Sequence, residues 1–364
     1  MPFRTKILGF GLGAGLLTAG CGDSPSGPTL AEFDADAASA DFEAMSEVFT
    51  GGLWESFGVL GELFPVGGSA AAMAFAVQST AGVAAGGTPE ASPGYLEGPA
   101  PQFAAQVPKI PFEIRGTTYV LDPETLRYVA SDLEGAPDNG IRFILYAINP
   151  VTRKPLPDVP IGHTDIMDLG DDLEHGVSLR VVVVADGVTH FDYTVTAIHA
   201  TDQAGSLDVN GFISNARTTV AFEIGIDVTR TETSRVMETA FVLEIAARDF
   251  RAAGTVRHTG GEDGREHEVD VEIRHGEHVI VFTRSVTAGE VSGEIHVNGE
   301  LFATISGDPD RPVILGPDGR ELTERERRAL RHIMAITEHV FRMVDHLLRP
   351  AERILNLEFF RRER

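Results

Sequence analysis

A strict two-residue period of apolar side chains runs through the middle of this chain, and it restricts the possible folds more than any other feature. In Thr219–Val228, the residues Val220, Phe222, Ile224, Ile226 and Val228 alternate with Ala221, Glu223, Gly225 and Asp227. Met237–Ile245 repeats the habit through Met237, Phe241, Leu243 and Ile245. So does 268–274, where Val269, Val271 and Ile273 alternate with Glu268, Asp270, Glu272 and Arg274. Successive side chains of an extended backbone point to opposite faces. The pattern therefore specifies strands with one buried and one wetted face, as antiparallel sheets have.

Turn signals punctuate these runs. Asp186-Gly187, Gly260 to Gly264, His275-Gly276 and Asn298-Gly299 all suit hairpins, and Asn-Gly favours the type I′ turn that matches strand twist. Roughly a dozen strands are expected between residues 110 and 306, joined mostly to their sequence neighbours as a meander. Ile141–Ile148 and Val181–Val184 are apolar on both faces, so something has to cover the second face there. A cover is expected at the C-terminus. Thr323 and Glu326 form a capping box that opens a helix over 323–349, ended by Pro350, with Leu330, Ile333, Met334, Val340, Phe341, Val344, Leu347 and Leu348 along one stripe. A shorter helix with Ile354, Leu355 and Phe359 is expected after it.

Residues 29–64 carry a second helical signal. Thr29 and Glu32 make another capping box, Phe42, Met45, Phe49, Leu53, Phe57 and Leu60 recur at helical spacing, and Gly51-Gly52 interrupts the run. Residues 65–109 are rich in Gly, Ala, Ser and Pro and read as a linker. The expected fold class is α+β, mostly β: a large twisted antiparallel meander sheet packed on or wrapped around a long C-terminal helix, with a helical N-terminal segment. The β domain with its helix occupies 110–364.

The first twenty residues have a three-part leader pattern. Arg4 and Lys6 supply a positive start, Ile7–Leu17 is uncharged and apolar, and Thr18-Ala19-Gly20 gives small residues before a cut. The apolar stretch is shorter than the about 20 residues needed to span a bilayer. Leu17-Thr18-Ala19-Gly20-Cys21 resembles the lipobox of bacterial type II signal peptides, matching at Ala19, Gly20 and Cys21 and departing at Thr18, where that family prefers Leu. The resemblance implies a lipoprotein precursor: a signal peptide over 1–20, lipid on Cys21, and a tether over 21–28. Gly22, rather than Asp, after the cysteine implies the outer membrane. Cys21 is the only cysteine of the 364 residues, so no intramolecular disulfide or cysteine-based metal site competes for it. Within the leader, Gly9-Phe10-Gly11-Leu12-Gly13-Ala14 mimics a dinucleotide fingerprint but lacks the strand and acidic residue that would give it meaning.

The leader holds two of the 30 basic residues and none of the 54 acidic ones, which leaves a net charge of −26 on the remainder. Such a charge opposes binding to nucleic acid and suits a self-repelling body held off a membrane surface. The chain has no Gly-x-Ser-x-Gly elbow, P-loop or His-Glu-x-x-His. His258 and His267 fall nearly opposite one another if 260–264 form a hairpin loop, with Glu262, Asp263, Glu266 and Glu268 close by, which makes them the candidates for a metal such as zinc. No third fixed ligand completes that site. His332, His339 and His346 are spaced seven apart, roughly 10 Å along a helix, too far to share a metal. Asp308-Pro309-Asp310 and Gly316-Pro317-Asp318-Gly319 do not follow the calcium-loop order and read as turns between the last strand and the helix. Trp54 reads as core.

No catalytic residue and no cofactor beyond the lipid on Cys21 is expected. The sequence favours a non-enzymatic binding or structural scaffold at the cell envelope, anchored to a membrane through lipid, with a protein or apolar partner. The alternative is a carrier of an apolar ligand in a cupped sheet, similar in bare architecture to open-barrel lipoprotein carriers. A metal-dependent enzyme is the remaining class. Replacing Cys21 with Ser is expected to abolish acylation, read by mass spectrometry of the purified protein. Unchanged membrane association and processing in Cys21→Ser would overturn the lipoprotein reading.

Overall fold

The computed structural model describes residues 35–60, 110, 112–170, 176–201, 203–261, 264–324, 326–327, 330–331 and 347. The leader, Cys21, the tether, the 65–109 segment, the Thr29–Glu32 capping box and His332, His339 and His346 lie outside the described residues, as does most of the 323–349 helix.

The chain is mostly β. One sheet of fifteen strands holds β1 (Thr117–Asp122), β2 (Arg127–Ser131), β3 (Gly140–Ile148), β4 (Pro155–Asp168), β5 (Gly176–Ala185), β6 (Val188–Thr201), β7 (Ala204–Ser214) and β8 (Thr219–Arg230). It continues through β9 (Ser234–Ile245), β10 (Phe250–Gly261), β11 (Gly264–His275), β12 (His278–Thr287), β13 (Glu290–Val297), β14 (Glu300–Asp308) and β15 (Arg311–Leu315). From β3 to β15 every strand pairs antiparallel with the next in sequence, as a meander.

The structure adds strands at both ends to the dozen expected. β1 lies parallel to β3 with β2 at the edge. The expected border at residue 306 moves to Leu315, because Asp308–Asp310 turns one strand into another within the sheet. There the Asp310 amide donates to Asp308 Oδ1 at 2.8 Å. These end strands are short, and β15 contains Pro312, so neither shows the long alternation of the central ones. β4 was obscured by Pro155, Pro157 and Pro160; the register shifts where it meets Tyr146 and Ile148 of β3, an irregularity of the kind that tolerates proline.

Alternation is realised as one buried face. Val220, Phe222, Ile224 and Val228 are each at most 2% exposed, while Ala221, Glu223 and Asp227 face solvent. Along Ile141–Ile148 and Val181–Val184, charged side chains of the same and neighbouring strands share the second face. Val182 sits in register with Asp165 and Asp192. Asp165 accepts two hydrogen bonds from Arg142 (2.7 and 2.8 Å), and Asp192 two from Arg180 (2.8 and 2.6 Å).

Hairpins form at the expected turns. Asp186 and Gly187, and Asn298 and Gly299, both have positive φ, as a type I′ turn requires. Glycines also allow close strand approach. A Cβ at Gly254 would lie 2.3 Å from the Asp270 carbonyl oxygen, and one at Gly211, whose φ is +152°, would lie 2.2 Å from that of Asp192.

Two helices lie on the buried face. α1 (Ala35–Val48) and α2 (Gly52–Leu60) are separated at Thr50-Gly51, as the Gly51-Gly52 signal implies. Trp54 and Phe57 are the main plug: Trp54 stacks edge-on against Phe191 at 5.6 Å, and Phe57 packs edge-on against Phe191 and Tyr193 at 5.4 and 6.4 Å. α1 also carries a buried carboxylate. Asp41, 2% exposed, accepts from Arg248 Nη1 at 3.1 Å and lies 2.5 Å from His275 Nδ1. At the other end of the chain the capping box is in place: the Glu326 amide donates to Thr323 Oγ1 (3.3 Å) and the Thr323 amide to Glu326 Oε2 (2.6 Å). Arg320 reinforces it with two hydrogen bonds to Glu326 (2.9 and 2.8 Å).

Two outcomes follow. Gly254→Ala is expected to destabilise the protein by about 1–3 kcal/mol in urea unfolding, the usual cost of forcing atoms into a packed site. Gly260→Ala in the same strand, where an added Cβ meets nothing within 4 Å, is expected to be near neutral. The hydrogen bonds from Arg320 hold the Glu326 carboxyl down at about 2, below its ordinary 4.5. A depressed carboxylate stabilises the fold above its unfolded value and ceases to do so as pH falls through the folded one. Glu326→Gln is therefore expected to remove part of the stability lost between pH 4.5 and 2, measured by acid titration of the circular dichroism signal.

Candidate functional site

His258 and His267 are brought together as the hairpin spacing implies. β10 and β11 place them directly opposite in register, and their rings stack at 4.4 Å with an 18° interplanar angle. The surrounding carboxylates are another matter. Glu266 and Glu268 lie one residue to either side of His267, so the pleat sends them to the exposed face while His258 is buried on the other. A metal lies in the plane of an imidazole that binds it, and two rings stacked face to face have no common plane in which to share one ion. Among the described residues, no group of three or more His, Cys, Asp or Glu is placed to hold a metal. Glu262 and Asp263 lie outside the described residues.

Three arginines share the buried face with this pair. Arg230 continues the inward row of β8 after Val228, and Arg235 the inward row of β9 before Met237. Arg230 and Arg235 are register partners, and Met237 is the partner of His258. On the far side, His267 pairs with Val286 and Val269 with Arg284. Arg284 thus stands on the same face as Phe282 and Ile280. It is half-buried, and burial pushes its guanidinium below the usual arginine range. Sequence reasoning singled out the two histidines and missed the arginines. The available signal was parity: in His278–Thr287, Arg284 takes the position that Ile280 and Phe282 occupy earlier in the strand.

The wetted face has a different character. Across β9 to β14 it forms a groove of about 680 Å³, with hydroxyls from Thr255, Thr283 and Thr304 and carboxylates from Glu238, Glu268 and Asp270 among its lining. Arg257 lies in register between Glu238 and Glu268. Burial first, then the neighbouring charge of Glu272, raise the Asp270 carboxyl above its ordinary value. The lining offers hydrogen-bond donors and acceptors to a polar partner rather than an apolar wall.

Trp54, 4% exposed, belongs to the core. Among the described residues no helix is long and apolar enough to cross a membrane. No protein-family model matches the chain, and comparison with curated proteins and with solved structures gives no match.

Proposed function

We propose that the protein is a lipoprotein, anchored through acyl chains on Cys21 at the cell envelope and favouring the outer membrane. Its β body acts as a non-enzymatic binding scaffold that presents the polar face of the sheet to a partner. In this reading the sheet wraps the 323–349 helix, as the capping box and the helical conformation of Glu324, Glu326, Arg327, Leu330 and Arg331 support. Leu330 and Leu347 are at most 2% exposed, and the Tyr193 hydroxyl donates to the Leu347 carbonyl at 2.7 Å.

The observation that carries the reading is the filling of the apolar face by the chain itself. Trp54 and Phe57 occupy the space over Phe191 and Tyr193, and the inward residues of the central strands are almost wholly shielded. A scaffold packs its interior, whereas a carrier of an apolar ligand leaves part of it open for cargo. What remains accessible is the acidic, hydroxyl-rich face with its groove across β9 to β14.

Native mass spectrometry of Cys21→Ser, which has no acyl chains of its own, separates the scaffold from the carrier. The expected result is a bare protein mass and no saturable uptake of a fluorescent fatty acid. Co-purified lipid, or saturable uptake, would replace the scaffold reading with that of a carrier.

A further inference from the structure

We propose that the free edge of β2 is a docking site for an extended, basic segment of a partner protein, which adds to the sheet as one more strand. The sheet order ends in β15 on one side and in β2 on the other, and the two edges are protected differently. β15 contains Pro312, which has no N–H to offer a neighbour. The chain leaving β15 folds back along its outer side: Leu315 forms an antiparallel bridge with Glu321, and the Gly316 amide donates to the Arg320 carbonyl at 2.9 Å. β2 has neither device. Arg127–Ser131 contains no proline, its register with β1 is unbroken, and among the described residues no segment pairs with its far side.

An unpaired strand edge is a row of backbone donors and acceptors, and so a template for another strand. Over the five residues of β2 that row is about 17 Å long, at about 3.4 Å per residue. The side chains beside it are open as well. Val129 is 41% exposed, and Leu133, just past the strand, is 55% exposed. Ala130 is exposed although it shares the inward parity of buried Tyr128. Edge pairing draws its affinity from main-chain hydrogen bonds and its selectivity from alternate side chains. An incoming strand therefore sets apolar residues beside Tyr128 and Ala130, where they extend the core, and its other face beside Val129.

Charge decides which strand fits. Residues 122–134 carry four acids, Asp122, Glu124, Asp132 and Glu134, against one base, Arg127. Glu124, Asp132 and Glu134 are exposed and make no ion pair among the described residues. A second copy of this chain, of net charge −24, brings the same acids to the same edge. Lys or Arg on the outward face of an incoming strand instead lays its alkyl stem along Val129 and its charge near these carboxylates, a favourable cross-strand pairing. The partner is thus a segment in which Lys or Arg alternates with apolar residues. This goes beyond the scaffold reading and does not rest on it, since seven strands lie between β2 and the groove across β9 to β14.

Fluorescence anisotropy of the full chain carrying Cys21→Ser, which excludes disulfide dimers, tests the site with two labelled peptides, (Lys-Val)5 and (Lys-Pro)5. The peptides have equal charge, but proline removes every second N–H from the latter and keeps it out of a sheet. Saturable binding of (Lys-Val)5 is expected, at least tenfold tighter than that of (Lys-Pro)5. It is expected to weaken at least tenfold in Val129→Lys and to stay unchanged in Val188→Lys, which adds the same charge at another exposed valine. Leu133→Lys provides the same comparison if Val129→Lys does not fold. No binding, equal binding of the two peptides, or equal binding with and without Val129→Lys overturns the proposal. A dimer in sedimentation velocity that Val129→Lys dissociates would assign the edge to a second copy and overturn it too.

Discussion

A fifteen-stranded sheet with one apolar face creates a burial problem that organises everything else in the molecule. Each of the strands β5 to β11 contributes three or more inward apolar residues, and left in water this surface would be a template for association. The solution is internal. α1 and α2 lay Met45, Val48, Trp54, Phe57 and Leu60 on the sheet, all at most 4% exposed. Edge-on aromatic contacts join α2 to β6. At about 25 cal/mol per Å² of apolar area removed from water, such side chains contribute on the order of 1.5–3 kcal/mol each.

Charge is sorted by face as strictly as hydrophobicity. The wetted face carries the acidic surplus, which crowds carboxylates enough that Asp208 and Asp270 titrate above their ordinary range, through burial first and then the neighbouring charges of Asp227 and Glu272. Its arginine–carboxylate pairs are partly exposed and add little stability individually; their part is to cover apolar residues such as Val182 with charged neighbours. On the buried face polar groups are few. Asp41 fastens α1 to Arg248 and His275 at one end of the strands, while Arg230, Arg235 and Arg284 stand on the same face towards the other.

Legibility followed the strength of the local signal. The long strands β8, β9 and β11 were readable because seven to ten residues repeat one rule, and Asn298-Gly299 because the pair favours the type I′ turn of a hairpin. The break between α1 and α2 was readable from two adjacent glycines. The parallel pairing of β1 with β3 was not, because parallel neighbours are chosen by contacts distant in sequence and leave no turn signature. β4 was hidden by its prolines, which are tolerated where its register with β3 shifts. For the candidate site, the hairpin spacing of His258 and His267 predicted their pairing, but the carboxylates counted beside them alternate to the other face.

The amino-acid sequence by itself determined the class of structure: strand after strand with one apolar and one polar face, reversed by glycine turns and pairing with its neighbour. Those properties are local, set by side-chain parity and by backbone conformations open to Gly and Asn. Only the tertiary structure decided what covers the apolar face and which polar residues meet upon it. Register across five strands aligns Arg230, Arg235, His258, His267 and Arg284, residues as much as 54 positions apart. No periodicity along the chain encodes that alignment, because it is the sum of every hairpin length between the first of them and the last.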